Sequence, residues 1–196
     1  MLNIRLSVLV TIIAVAFTLG LAGATALQEG EGPGKDGKGD DSGGMALPAP
    51  VADPELGKLV GSWEWDGEIM HPQTRAWTPL KGKEEWKWGL NGQFLLLEVE
   101  VADAFGPGKP MVGLWVVRPA GDGKYKAWWF DVLGTVEVSD GELKDGKITF
   151  IGTSRWGKSR ASFTISDDGT YESNSDMLGP DGKWIPHMKA KARKVE

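Results

Sequence analysis

Three groups of side chains in this 196-residue sequence have the chemistry to work inside a folded domain. The first is a set of charged residues at strand spacing. Glu84 stands two residues before Trp86, and Asp131 two residues after Trp129. In an extended chain each carboxylate therefore shares a face with an indole. Arg118 shares a face with Val116 and Leu114. A carboxylate and an arginine turned into one cavity would bind a polar head group or act as an acid–base pair. Turned elsewhere, the same residues are a structural salt bridge or the rim of a barrel.

The second group is the tryptophans, ten in all. Trp63 and Trp65, and again Trp86 and Trp88, are spaced two apart, so each pair falls on one face of a strand. Trp128 and Trp129 point to opposite faces. Such residues either pack a core or line a cavity for a flat or apolar ligand. The third group is two histidines. His71 follows the parity of Trp63, Trp65 and Ile69 but sits before Pro72, as a residue lining a mouth would. His187 falls opposite a face made by Trp184, Pro186, Met188, Ala190 and Ala192, so it is expected to point away from the interior.

Other chemistries are excluded. The chain has no cysteine, hence no disulfide, thiolate metal site or cysteine nucleophile. Thr153, Ser154, Ser173 and Ser175 have no histidine near them in the sequence, so no nucleophilic triad is supported. No phosphate loop, metal-ligand motif or dinucleotide fingerprint is present, and no cofactor is expected. A net charge of −5 without a basic stripe argues against a nucleic-acid partner.

The elements that must hold these residues are strands. From Gly61 to Ile69 apolar or small residues alternate with Ser62, Glu64, Asp66 and Glu68, a period of two. Similar runs follow over 81–90, 94–101, 111–118, 124–132, 135–142, 147–153, 160–166, 170–177 and 183–194. Turn sequences such as Asn91-Gly92, Asp145-Gly146 and Asp168-Gly169 separate many of them. Asp53-Pro54 opens a short helix with Leu56, Leu59 and Val60 at helical spacing. The expected fold is all-β: an antiparallel up-and-down barrel of about ten strands with a short N-terminal helical lead-in. Closure removes the edges of such a meander. A two-sheet sandwich is the alternative.

Upstream, residues 1–26 read as a secretory signal, with Arg5, an apolar run from Leu6 to Leu21, and a small-x-small site at Ala24-Thr25-Ala26. An uncleaved anchor is the alternative; the run is shorter than the roughly 20 apolar residues of a span, and Ser7, Thr11 and Thr18 interrupt it. Residues 27–53 are rich in glycine, proline and acids, a flexible linker. The barrel domain is expected over 54–196. The product is expected to be exported, periplasmic or extracellular, with no membrane partner after cleavage.

Leu59-Val60-Gly61-Ser62-Trp63, Leu90 to Leu95, Gly113-Leu114-Trp115, Lys124-Tyr125 with Trp128 to Asp131, and Asp181-Gly182-Lys183 occur in that order. Together they resemble a bacterial family of unknown function with a lipocalin-like, calycin-type barrel. That resemblance implies the fold and no activity. A looser likeness is to nitrobindin-like barrels, which hold haem. Gly61, Trp63 and Gly67 match that opening in part, whereas Trp65 stands where a glycine is expected. A haem barrel also needs an inward histidine, and the parity of His187 argues against one unless a β-bulge reverses it.

The leading expectation is a binding module. A small apolar or aromatic molecule would sit in a cavity lined by Trp63, Trp65, Trp86, Trp88 and Trp129, with Glu84, Arg118, Asp131 and His71 as polar contacts. The alternatives are an enzyme using an inward carboxylate as general base, and a structural or interaction barrel with a packed interior. The sequence leaves the oligomeric state open.

Overall fold

The computed structural model describes residues 46–51 and 53–195. The expected signal segment and the linker up to residue 45 lie outside the described residues. A short helix, α1 (Pro54–Gly57), is followed by ten strands: β1 (Gly61–Met70), β2 (Trp77–Gly89), β3 (Phe94–Val101), β4 (Met111–Gly121), β5 (Lys124–Asp131), β6 (Val136–Lys144), β7 (Lys147–Ser154), β8 (Gly157–Ile165), β9 (Thr170–Leu178) and β10 (Trp184–Val195). Each strand pairs antiparallel with the next, and β10 pairs with β1 to close the barrel. The up-and-down barrel read from the alternation is the observed fold.

Helix α1 forms for local reasons. The Asp53 carboxylate accepts from the Leu56 amide at 2.8 Å, and Pro54 occupies the first turn, where no amide donor is needed. The helix carries Leu56, and Leu59 follows it; both are buried in the core. Trp63 donates its indole N–H to the Leu59 carbonyl at 2.7 Å, fastening the helical segment to β1. Burying each of these large side chains contributes about 1.5–3 kcal/mol. This end of the barrel is thereby plugged.

Several boundaries differ from expectation, two strand starts among them. β2 begins at Trp77 instead of Lys81, because Trp77 to Leu80 continue the ladder with β1. Pairing with β3 starts only at Gly82, so Pro79 sits where a missing amide donor costs no second ladder bond. β8 begins at Gly157, which pairs with Ser154. The turn between β2 and β3 spans four residues, with Leu90, Asn91 and Gly92 all at positive φ. It also holds the chain upstream of the barrel. Asn91 and Gln93 donate side-chain N–H groups to the carbonyls of Pro48 and Ala49, and the Val51 amide donates to Gly92.

Candidate ligand-binding site

Strand register decides which residues face inward. Trp63 lies opposite Glu84, Trp65 opposite Gly82, and Gly61 opposite Trp86, so all four large or charged members of this set share the inner face. Toward the α1 end the interior is filled by interlocked rings. Trp63 meets Tyr171 edge-on at 4.9 Å between centroids. Tyr171 neighbours Phe163, Phe163 neighbours Trp86 and Trp115, and Trp115 meets Phe150 at 4.6 Å. Tilted and edge-on pairs of this kind add about 0.5–1.5 kcal/mol each beyond area burial.

One carboxyl group is built into this wall. Glu84 accepts from the Tyr171 hydroxyl and, at 3.1 Å, from the Trp86 indole N–H. Desolvation raises its pKa above the ordinary carboxylate value, outweighing the two donors. Burial, reinforced by the Glu84 charge, likewise pushes the Tyr171 phenol up. Trp65 is 3% exposed, and its indole N–H has no partner among the described residues. Its ring lies against Gly82, where an added Cβ would fall 2.2 Å from the indole.

The other half of the interior differs. Following the ladders inward, Gly67 pairs with Ala190 and Ala190 with Ser173; Met188 pairs with Ser175 and Ser175 with Ala161; Met177 pairs with Ser159 and Ser159 with Gly152. These are small or flexible side chains on five neighbouring strands. Most of them face inward by register yet keep partial solvent exposure. Across from them stand Leu80, Met111, Trp129, Asp131 and Glu137, also partly exposed. Trp129 lies against Gly113, where a Cβ would fall 2.2 Å from its ring. Glu137 lies against Gly152 and accepts from the Ser159 hydroxyl at 2.8 Å.

Asp131 marks the mouth. It accepts from the Trp129 indole at 3.1 Å, from the Leu133 amide at 2.9 Å and from the Thr135 amide at 3.0 Å. Burial pushes its pKa up, but these donors together outweigh that and leave it below the ordinary value. Asp131 is thus a fixed anion, and Glu84 a carboxyl biased toward its neutral form. Beside it, Trp156 donates to the Thr135 hydroxyl at 3.1 Å, joining the β5–β6 and β7–β8 loops.

The remaining sequence candidates fall in different places. Trp88 is partly buried and packs against the core. Arg118 corrects an expectation: it is exposed, on the outer face with Leu114 and Val116, opposite Lys126. The inward residues of β4 are Met111, Gly113, Trp115 and Val117, so Arg118 pairs with neither Glu84 nor Asp131 inside. His71 is exposed and turned onto its own loop, where its Nδ1 accepts from the Gln73 and Thr74 amides. It borders a groove of about 600 Å³ at the mouth, together with Ile69, Leu80, Ala104 and His187.

His187 is the second correction. A bulge between Pro186 and Met188 leaves it outside the regular ladder. Met188, Ala190 and Ala192 keep the inward face, while Trp184 stacks under the Arg160 guanidinium at 4.7 Å. The His187 imidazole lines the mouth groove, and desolvation lowers its pKa. Tyr171, Phe163, Glu137 and Ser159 were not singled out by sequence. The inward alternation of β8 and β9 carried that signal, but small residues at those positions masked it. Among the described residues no group of three or more His, Asp or Glu is placed to hold a metal ion.

Comparison with solved structures supports this architecture. The crystal structure of Rv2717c from M. tuberculosis aligns with a TM-score of 0.59 at 16% identity, covering 74% of this chain and all of that one. The S-type phycobiliprotein lyase CPES from Guillardia theta aligns with a TM-score of 0.56 at 10% identity, covering 72% of this chain and 90% of that one. No protein-family model matches the chain, and no curated protein does. At these identities the likeness is one of fold: a closed, ten-stranded antiparallel barrel.

Proposed function

We propose that this protein is an exported binding protein that holds a small apolar or aromatic molecule in the open half of its barrel. One observation carries the reading. On β1 and β7 to β10 the inward-facing residues there are mostly small and partly solvent-exposed, whereas most inward residues of the α1 half are large and buried. Barrels of this size hold one small ligand where their side chains do not fill them. The floor would be the indole and phenyl rings around Trp65 and Phe163, and Trp129 would form a side wall. Flat apolar molecules gain burial and stacking in such a place, and Asp131, Glu137 and Ser159 would set orientation. The chemistry of the leader segment supports export.

The test uses N-phenyl-1-naphthylamine, a flat, neutral fluorescent probe. Saturable binding with one site per chain is expected. Ala161→Trp and Ser173→Leu, which fill the space, should each weaken it at least tenfold without changing the far-UV spectrum. Native mass spectrometry of the protein from its own host would then identify the bound molecule. Probe binding that is absent, or indifferent to both filling variants, would overturn the reading in favour of a packed structural barrel.

A further inference from the structure

The outside of the barrel is not uniform. Over most of it, cross-strand ion pairs cover the sheet: Lys81 with Asp66, Lys83 with Glu100, Lys189 with Glu68, Arg193 with Glu64. On the mouth-side half of β4 to β7 this pattern stops. Val112, Leu114, Phe130, Val136 and Val138 point outward there, each exposing between 36% and 55% of its surface, and Ile151, 41% exposed, borders them beside Asp140 and Arg160. The register makes them one surface: Leu114 lies opposite Phe130, and Phe130 opposite Val136. Trp128, opposite both Val116 and Val138, extends the rows. Leu133 and Trp156 continue the surface onto the adjoining loops, which the Arg155 guanidinium ties together by donating to the Leu133 carbonyl and stacking on Trp156.

We propose that this uncharged sheet face is a homodimer interface, occupied by the same face of a second copy of this chain. Scattered exposed apolar residues are ordinary, but a contiguous patch on a soluble domain marks a contact surface. Three features favour a second copy as occupant. Complete coverage of these side chains together with Leu133 and Trp156 would bury on the order of 650 Å², below but comparable to the roughly 800 Å² per partner of a standard interface. The central rows carry no charge, so identical faces meet across a two-fold axis without repulsion. Their make-up, β-branched and aromatic residues in cross-strand rows, is that of a face that packs on another sheet about 10 Å away. The ion-paired strands on the far side lack all three.

The absence of cysteine makes the test direct. Leu114→Cys and Phe130→Cys, introduced singly into the full chain, should each give a covalent dimer with a short bismaleimide. Lys83→Cys, on the ion-paired side, should not. Sedimentation at micromolar concentration should give twice the chain mass. The pair Leu114→Lys with Val136→Lys should weaken dimerisation at least a hundredfold while the far-UV spectrum is unchanged. Because both positions are exposed, the fold has no reason to fail, and cross-linking reads the contact even if it does. A monomer at all concentrations would overturn the proposal. So would a dimer indifferent to the lysine pair, or a monomer that binds phosphatidylcholine vesicles through this face.

Discussion

The two halves of the barrel interior are made by the same ten strands, yet they carry different residues. Near α1 the inward positions hold Trp63, Trp86, Trp115, Tyr125, Phe150 and Tyr171, all buried. Near the mouth several of the corresponding positions hold Gly67, Ser159, Ala161, Ser173, Ser175 and Ala190. Strands of equal curvature enclose similar space at both ends, so side-chain volume decides what is filled. The ring-packed half supplies the apolar burial that a chain without disulfides depends on. That leaves the other half free to keep small residues and polar contacts at little cost in stability. The comparison teaches that tryptophan count alone does not locate a cavity. Most of the indoles on the inner wall belong to the packed half, and small residues mark the space.

Removing rings tests this most strongly. Trp115→Ala takes out a ring that touches three other aromatics and should cost about 3–5 kcal/mol in urea unfolding. Trp129→Ala, in the partly exposed half, should cost about 0.5–3 kcal/mol and chiefly weaken probe binding. Equal costs would erase the distinction between the halves. Adding a methyl group is the next largest probe. Gly82→Ala drives a Cβ into the buried Trp65 ring, and Gly113→Ala into Trp129. Overpacking should cost about 1–3 kcal/mol at Gly82, and less at Gly113, where the indole has room to swing.

Two titrations separate the halves more finely. Glu84 has its pKa raised in the fold, so its contribution is fully present below the unfolded value of 4.5 and is lost as pH rises through the raised value. Asp131 has its pKa lowered, so its contribution is present above 3.8 and is lost as pH falls through the lowered value. Stability profiles of Glu84→Gln should therefore lack the decline above pH 4.5, while those of Asp131→Asn lack the loss at acid pH. A wild-type profile that Glu84→Gln leaves unchanged would remove Glu84 from the desolvated wall. The smallest effect is expected at Arg118→Ala. That side chain lies on the outer face, and its loss should change stability by no more than about 0.5 kcal/mol and leave probe binding intact.

Much of the architecture was legible in the residues themselves. Alternation placed ten strands within a few residues of where they lie, because side-chain period and turn chemistry are local properties. Trp63, Trp65 and Trp86 read as inward because the opposite parity holds Ser62, Glu64, Glu85 and Lys87. Asp53 and Pro54 announced the helix that plugs one end.

Other features were settled only by closure. Parity says which residues share a face but not which face is inside when both are apolar. Leu114, Val116 and Arg118 lie on one side of β4, with Trp115 and Val117 on the other, and the barrel put the first set outside. A bulge at His187 moves one residue out of the ladder and changes the parity of the strand before it, an alternative that spacing allows but does not decide. The Tyr171 hydroxyl reaches Glu84 across 87 residues of chain, and that meeting sets the environment of both groups. Sequence alone determined the strands and their order, since these follow from local backbone preference. The tertiary structure decided the inward face of β4, the partners of each polar group and the division into a packed and an open half, since these depend on which strands the closing sheet brings face to face.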